Sequence, residues 1–237
     1  MTEPVQKAES WKMFNRIARR YDLLNRLLSG RRDVAWRKKC AQQLPKNTQL
    51  TVLDLATGTG DLLQRLLRER PNIKTAVGLD PAIAMLSMGQ NKMSSQRMSL
   101  VRGDAQHMSF RSESSDVITM AFGIRNVPDI DSAFREMHRV LVPGGQVFIL
   151  EFSLPTNKLI RTLYLFYFRH ILPFIGGIIS GDRRAYHYLN QSVENFPFGA
   201  AFCRRLEHAG FAQVTEKPLT FGIATIYSAQ KQSDKYA

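Results

Sequence analysis

Val52-Leu-Asp-Leu-Ala-Thr-Gly-Thr-Gly-Asp61 runs from an apolar, β-rich segment into two glycines, and Leu62-Leu-Gln-Arg-Leu-Leu67 then has the spacing of a helix. Glycine at 58 and 60 lets a strand turn tightly into a helix and lets a ligand approach the backbone without meeting a Cβ atom. A dinucleotide fingerprint needs a third glycine, where this chain has Leu63. The loop therefore suits a nucleoside better than a pyrophosphate.

Outward from this loop, short β-rich runs at 50–55, 75–79, 99–101, 117–122 and 147–152 alternate with helix-like segments. That alternation predicts parallel strands joined by right-handed crossovers. After residue 200 the pattern predicts a helix over 201–210 and strands over 211–216 and 221–229, the last two joined tightly through Pro218 as an antiparallel pair. The predicted class is α/β. Residues 1–47 read as an N-terminal helical arm, and 48–237 as one domain carrying a helical, aromatic-rich insertion at about 156–195.

Two acids follow the glycines at strand ends. Asp80 closes the second predicted strand, where an acidic side chain in such folds accepts hydrogen bonds from ribose hydroxyls. Asp104, in Gly103-Asp104-Ala105, follows the third, where a carboxylate can accept from an adenine amino group and the next backbone N–H can donate to a ring nitrogen.

This run resembles the class I S-adenosylmethionine-dependent methyltransferases, which implies a seven-stranded Rossmann-like sheet with an antiparallel last strand. The resemblance implies a cofactor site of Asp54, Gly58, Thr59, Gly60, Asp80, Asp104 and Ala105. Further segments narrow it: Ala121-Phe-Gly-Ile-Arg-Asn-Val-Pro-Asp129, Arg139-Val-Leu-Val-Pro-Gly-Gly145, Leu150-Glu-Phe-Ser-Leu-Pro155, Phe14-x-x-Ile-Ala-x-x-Tyr-Asp-x-x-Asn25, Tyr188-Leu-x-x-Ser192 and Leu219-Thr-x-Gly-Ile223. Together they resemble the ubiquinone/menaquinone biosynthesis C-methyltransferase family over about residues 10–229. That resemblance implies S-adenosylmethionine-dependent methylation of a ring carbon of a polyprenylated quinol. Demethylmenaquinol is the first expectation, with the benzoquinol of ubiquinone synthesis and then RNA as alternatives.

A ring carbon is a poor nucleophile until the neighbouring phenol ionises, so such a site must favour phenolate and hold the carbon in line with the methyl donor. Arg125 follows the fourth strand and stays charged at neutral pH, which suits it to stabilise phenolate rather than to abstract a proton. Its other reading is an ion pair with Asp129 or Asp131. Asn126 can orient a water or a quinol oxygen. Tyr21, on the N-terminal helix, either completes a relay or packs in the core.

Charge is unevenly spread. Lys and Arg number 33 against 20 Asp and Glu, and the segment 1–47 holds 12 basic against 4 acidic residues while 48–153 is balanced at 11 each. The opening helix places Trp11, Phe14, Ile17, Ala18, Tyr21, Leu24 and Leu28 on one stripe, with Lys12, Arg16, Arg19, Arg20 and Arg26 largely off it. Such a basic amphipathic helix packs on the domain, covers substrate or lies on anionic membrane. Leu163, Tyr164, Phe166, Tyr167, Phe168, Ile171, Phe174, Ile178 and Ile179 in the insertion suit either a lid for a prenyl tail or a buried helix pair.

No secretory signal, zinc spacing or disulfide framework is apparent, and the apolar stretch at 159–179 is interrupted by charge, Pro and Gly. The corresponding expectations are no metal, no nucleic-acid partner and a cytoplasmic location with peripheral contact at the inner membrane face. A homo-oligomer is compatible with the sequence. A short-chain dehydrogenase is disfavoured, because Tyr227-Ser-Ala-Gln-Lys231 has that family's letters but falls in a predicted strand.

Overall fold

The computed structural model describes residues 7–93, 95–174 and 183–233, so Ile178 and Ile179 lie outside the described residues. Seven strands form one sheet: β1 (Leu50–Leu55), β2 (Ile73–Asp80), β3 (Met98–Arg102), β4 (Ser115–Ala121), β5 (Leu141–Phe152), β6 (Phe211–Leu219) and β7 (Ala224–Lys231). Their order is β3-β2-β1-β4-β5-β7-β6. All pairs from β3 to β5 are parallel, and β7 runs antiparallel to both β5 and β6. The Rossmann-like expectation holds, including the antiparallel last strand.

Side chains alternate between the two faces of the sheet, as a period of two requires. Leu53, Leu55, Ile118, Met120, Val147 and Ile149 face one core, into which α5 (Ile130–Val140) sends Phe134 and Met137 and α8 (Ala200–His208) sends Phe202. Val52, Val117, Phe148 and Leu150 face the other, filled by Trp36 of α2 (Arg32–Ala41) and Leu63 and Leu66 of α3 (Asp61–Glu69). The α5 helix starts where Asp129 caps it, accepting from the backbone N–H groups of Asp131 and Ser132, which is typically worth about 1 kcal/mol.

The remaining helices gather near the carboxyl ends of the strands. The predicted opening helix is α1 (Ser10–Leu28), whose Ala18 packs on Ala82 and on Met85 of α4 (Ile83–Gln90). Asp22 of α1 is latched to the glycine loop and α4: it accepts from the Thr59 hydroxyl at 2.7 Å and pairs with Lys92, which also reaches Asp61 at 3.1 Å. The insertion supplies α6 (Lys158–Phe166), a π-helical turn at Tyr167–Ile171 and α7 (Arg183–Glu194). Tyr164, Phe168, Leu172 and Val193 pack with Leu24 of α1 and Leu154.

Two boundaries differ from the expectation. Pro218 lies inside β6 opposite Thr225, and the chain reverses later, at Thr220–Gly222. An edge strand tolerates proline because its outward N–H position needs no partner. β5 begins six residues early, at Leu141, and carries Pro143-Gly144-Gly145 within it, with a register shift against β4.

Candidate active site

Four strand ends and α1 enclose a cavity of about 270 Å³. Gly58, Asp80, Asp104, Ala105 and Asn126 line it from the sheet side, and Trp11, Phe14 and Tyr21 from α1. Gly58 holds φ at +57° and Gly60 at +77°, in the left-handed region that favours glycine. A Cβ on Gly60 would stand 2.8 Å from the Met98 methyl. Ala56 (φ 47°) and Phe122 (φ 58°) take the same left-handed backbone without being glycine, directly after the two central strands. Strain of this kind is held at sites where the surroundings over-determine the backbone.

Asp80 anchors the loop. One carboxylate oxygen accepts from Gly58 N–H at 2.9 Å and the other from Ala82 N–H at 2.8 Å. Burial pushes its carboxyl up to about 6, against the lowering effect of those two backbone donors. Asp104 is exposed, and its carboxylate takes the backbone N–H of Gln106 at 2.9 Å.

Asp54 sits beneath the loop. Its two oxygens accept from the hydroxyls of Thr119 at 2.6 Å and Thr57 at 2.7 Å, and burial raises its carboxyl to about 6. With Thr59 it borders only a small space of about 20 Å³, shared with Tyr21 and Arg37. Thr59 itself turns its hydroxyl to Asp22.

A second cavity, of about 230 Å³, lies on the far side of Phe14, Tyr21 and Phe122, which line both spaces. Its walls are largely apolar and come from α1, α2, α6 and α7. The rings of Phe122 and Phe152 lie 4.6 Å apart with Trp36 against both, and the Trp36 indole donates to the Thr220 hydroxyl at 2.8 Å. Two guanidiniums enter this aromatic cluster: Arg37 stands 5.3 Å from the Phe122 ring and Arg125 the same distance from Phe152.

Each guanidinium has its own buried carboxylate. Arg37 donates to Asp33 at 2.7 Å, and Asp33 also accepts from the Ser29 hydroxyl at 2.8 Å. Arg125 donates through Nη1 to Glu151 at 2.7 Å and to the Phe122 carbonyl at 2.6 Å. Its Nε is buried and has no hydrogen-bond partner among the described residues. Arg125 and Asn126 are neighbours that open into different cavities: Arg125 lines the apolar one and Asn126 the loop-side one. Tyr188, from α7, bridges them by donating to Asn126 Oδ1 at 3.0 Å. Burial pushes the Tyr21 hydroxyl up, although Asn25 and the charges of Arg125 and Arg37 work the other way. The group is therefore a neutral donor at pH 7.

The family model for the ubiE/COQ5 methyltransferase family matches residues 3–231. The chain belongs to the ubiE/COQ5 methyltransferase family. It is 42% identical over 217 residues to the demethylmenaquinone methyltransferase of Thermus thermophilus, covering 91% of this chain and 98% of that protein. Identity is 43% to the ubiquinone/menaquinone biosynthesis C-methyltransferase UbiE of Syntrophotalea carbinolica, over 91% of each chain. An S-adenosylmethionine-dependent methyltransferase from Thermotoga maritima superposes with a TM-score of 0.67 at 17% identity, over 94% of this chain and 99% of that one, which shows the shared fold.

In this ubiE/COQ5 methyltransferase the structure gathers Gly58, Asp80, Asp104, Ala105, Asn126 and Tyr21 around one cavity. Asp54 and Thr59 stand behind the loop, and Gly60 serves as the residue before α3. The ion pair read for Arg125 with Asp129 or Asp131 is corrected: Asp129 caps α5, Asp131 pairs with Arg205 at 2.9 Å, and Arg125 belongs to Glu151. Glu151, Asp33 and Arg37 escaped the sequence reading. For Glu151 a signal existed, since it is the last residue but one of the strand beside the one that Arg125 follows.

Proposed function

We propose that this enzyme transfers a methyl group from S-adenosylmethionine to a ring carbon of a polyprenylated quinol, converting demethylmenaquinol to menaquinol. The observation that carries the proposal is the pair of cavities divided by Phe14, Tyr21 and Phe122, one edged by strand-end acids and the other aromatic, apolar and holding a buried arginine. The names of the Thermus and Syntrophotalea relatives support the quinone assignment.

The loop-side residues fit the cofactor. Each Asp80 oxygen has one backbone donor and so keeps a lone pair for a ribose hydroxyl. Gly58 offers a wall without a Cβ, and Asp104 and Ala105 stand where an adenine edge would be read. When bound, S-adenosylmethionine supplies an electrophilic sulfonium methyl. The chain's own residues do the rest. Arg125 stabilises the phenolate that makes the ortho carbon nucleophilic, in a pocket whose low polarity strengthens that attraction. Glu151 holds Arg125 in place, Tyr188 holds the Asn126 carboxamide, and neutral Tyr21 donates a hydrogen bond at the wall between the two ligands. Trp36, Phe122 and Phe152 supply flat apolar surface for the ring and exclude water.

The apolar tail directs attention to a lipid-facing surface, because a prenyl chain resides in lipid. Among the described residues no helix is long and apolar enough to cross a membrane. The outer face of α6 and the turn after it nonetheless exposes Leu159 at 70%, Leu163 at 63%, Phe166 at 59% and Phe174 at 62%, beside exposed Lys158 and Arg161. Its inner face gives Tyr164, Phe168 and Leu172 to the apolar cavity. A helix with this division suits peripheral contact with anionic membrane, next to the place where the quinol enters.

The test is label transfer from methyl-labelled S-adenosylmethionine to reduced demethylmenaquinone, a demethylated benzoquinol and total RNA in separate reactions. Label in the naphthoquinol is the expected result, and label in RNA alone would overturn the assignment. Replacing Arg125 by Ala should cut turnover far more than cofactor affinity. Co-sedimentation with anionic vesicles should be lost in Leu163→Ser/Phe166→Ser; no binding by the unaltered protein refutes the membrane contact.

A further inference from the structure

Tyr164 of α6 lines the apolar cavity and is only 8% exposed, and its hydroxyl has no hydrogen-bond partner among the described residues. Its ring stacks on Phe168 at 5.1 Å. Phenylalanine would make the same packing contacts without stranding a polar atom, and a stranded buried hydroxyl is destabilising. The only other stranded polar atom lining this cavity, among the described residues, is Nε of Arg125. Two unsatisfied groups thus belong to residues lining one space whose other walls are largely aromatic and aliphatic, with Asp33 and Arg37 there paired to each other. A ligand that satisfies both needs two oxygens on a flat apolar body.

Resting on the quinol reading above, we infer that the Tyr164 hydroxyl holds the second ring oxygen of the quinol, across the ring from the oxygen that ionises beside Arg125. A tyrosine hydroxyl both donates and accepts, so it can pair with an un-ionised ring hydroxyl, whereas a guanidinium only donates and is matched to the phenolate. Burial pushes the Tyr164 hydroxyl up, with the Arg125 charge opposing, so it keeps its proton and acts as a hydrogen-bonding contact rather than a base. The two contacts fix the rotation of the ring in its plane, and hence which carbon meets the methyl donor. A substrate with one hydroxyl would leave Tyr164 stranded, and a site built around a hydrogen bond rejects an analogue that lacks it.

The test compares two acceptors, the short-tailed demethylmenaquinol and the prenylated 1-naphthol that lacks the second hydroxyl, each with the unaltered enzyme and with Tyr164→Phe. The unaltered enzyme should favour the diol in kcat/KM by about tenfold. In Tyr164→Phe that preference should collapse to about onefold, through a raised KM for the diol, with cofactor affinity unchanged. The melting temperature without ligand should be equal or higher, which a structural hydroxyl would not allow. Equal use of both acceptors by the unaltered enzyme, or a preference that survives Tyr164→Phe, overturns the inference while leaving the quinol reading intact. If the unaltered enzyme methylates neither acceptor, the quinol reading has failed and this inference falls with it.

Discussion

Replacing Glu151 by Gln isolates the charge of Arg125 with little change in shape. Glu151 has no exposed surface and its partner's side chain only 5%. A glutamine retains the oxygen that accepts from Arg125 Nη1 and from Phe152 N–H, but it turns an amide donor toward Arg125 N–H, which now sits 3.4 Å from the second carboxylate oxygen. Removing one member of a buried ion pair costs about 3–5 kcal/mol, because the other charge is left uncompensated. With an acceptor retained, about 3 kcal/mol is the expected loss. For a chain of this size that lowers the melting temperature by about 6–12 °C, measured by calorimetry or circular dichroism. Adding Arg125→Met removes the stranded charge, so the double variant should recover at least about 1 kcal/mol relative to the sum of the two single losses. The same cycle read in turnover should show that Glu151→Gln loses kcat with unchanged cofactor affinity. Single losses below about 1 kcal/mol that add within about 0.5 kcal/mol would refute the view that Glu151 holds Arg125.

Four further outcomes follow from the loop side. Asp80 has a raised carboxyl near 6, so cofactor affinity should weaken by about tenfold per unit as pH falls below that value, and Asp80→Asn should flatten the titration. The ligand-free protein should respond in the opposite sense. Asp54 and Asp80 hold protons in the folded state that the unfolded chain releases near pH 4, so their contribution is full below about 4 and is lost as pH rises from there through about 6; thermal melts between about pH 4 and 7 check it. Gly58→Ala should cost about 1–2 kcal/mol through its positive φ and weaken cofactor binding by isothermal titration, and unchanged affinity would deny the loop its role. Asp22→Ala breaks the latch to Thr59 and Lys92, so trypsin should cut within α1 faster, and an unaltered digestion rate would show that the latch bears no load.

The sheet was readable because its central strands are buried on both faces and appear as unbroken apolar runs; the run at 50–55 coincides with β1. Reading failed where local chemistry and pairing disagree. Pro143-Gly144-Gly145 spells a turn, yet it is an irregularity within β5, because Leu141 and Gln146 on either side of it pair with Ser115 and Val117 of β4. Pro218 spells another, yet the edge position tolerates it. The acids at strand ends were legible because topology places every parallel carboxyl end on one side. The partner of Arg125 was not, since counting along the chain favours near acids such as Asp129, while the sheet pairs Ala121 with Leu150 and so brings the next turn beside Glu151. Asp33 and Arg37 were not legible, because nothing in the chain around them marks a charged pair that the fold buries.

The two cavities draw their walls from different parts of the chain. Strand ends and the glycine loop shape one, and helices outside the sheet shape most of the other. A lineage can therefore alter α6 or α7 to accept another ring or a longer tail without disturbing the loop that any methyl donor must meet. The wall residues Phe14, Tyr21 and Phe122 have no such freedom, because a change in any of them is felt on both sides at once.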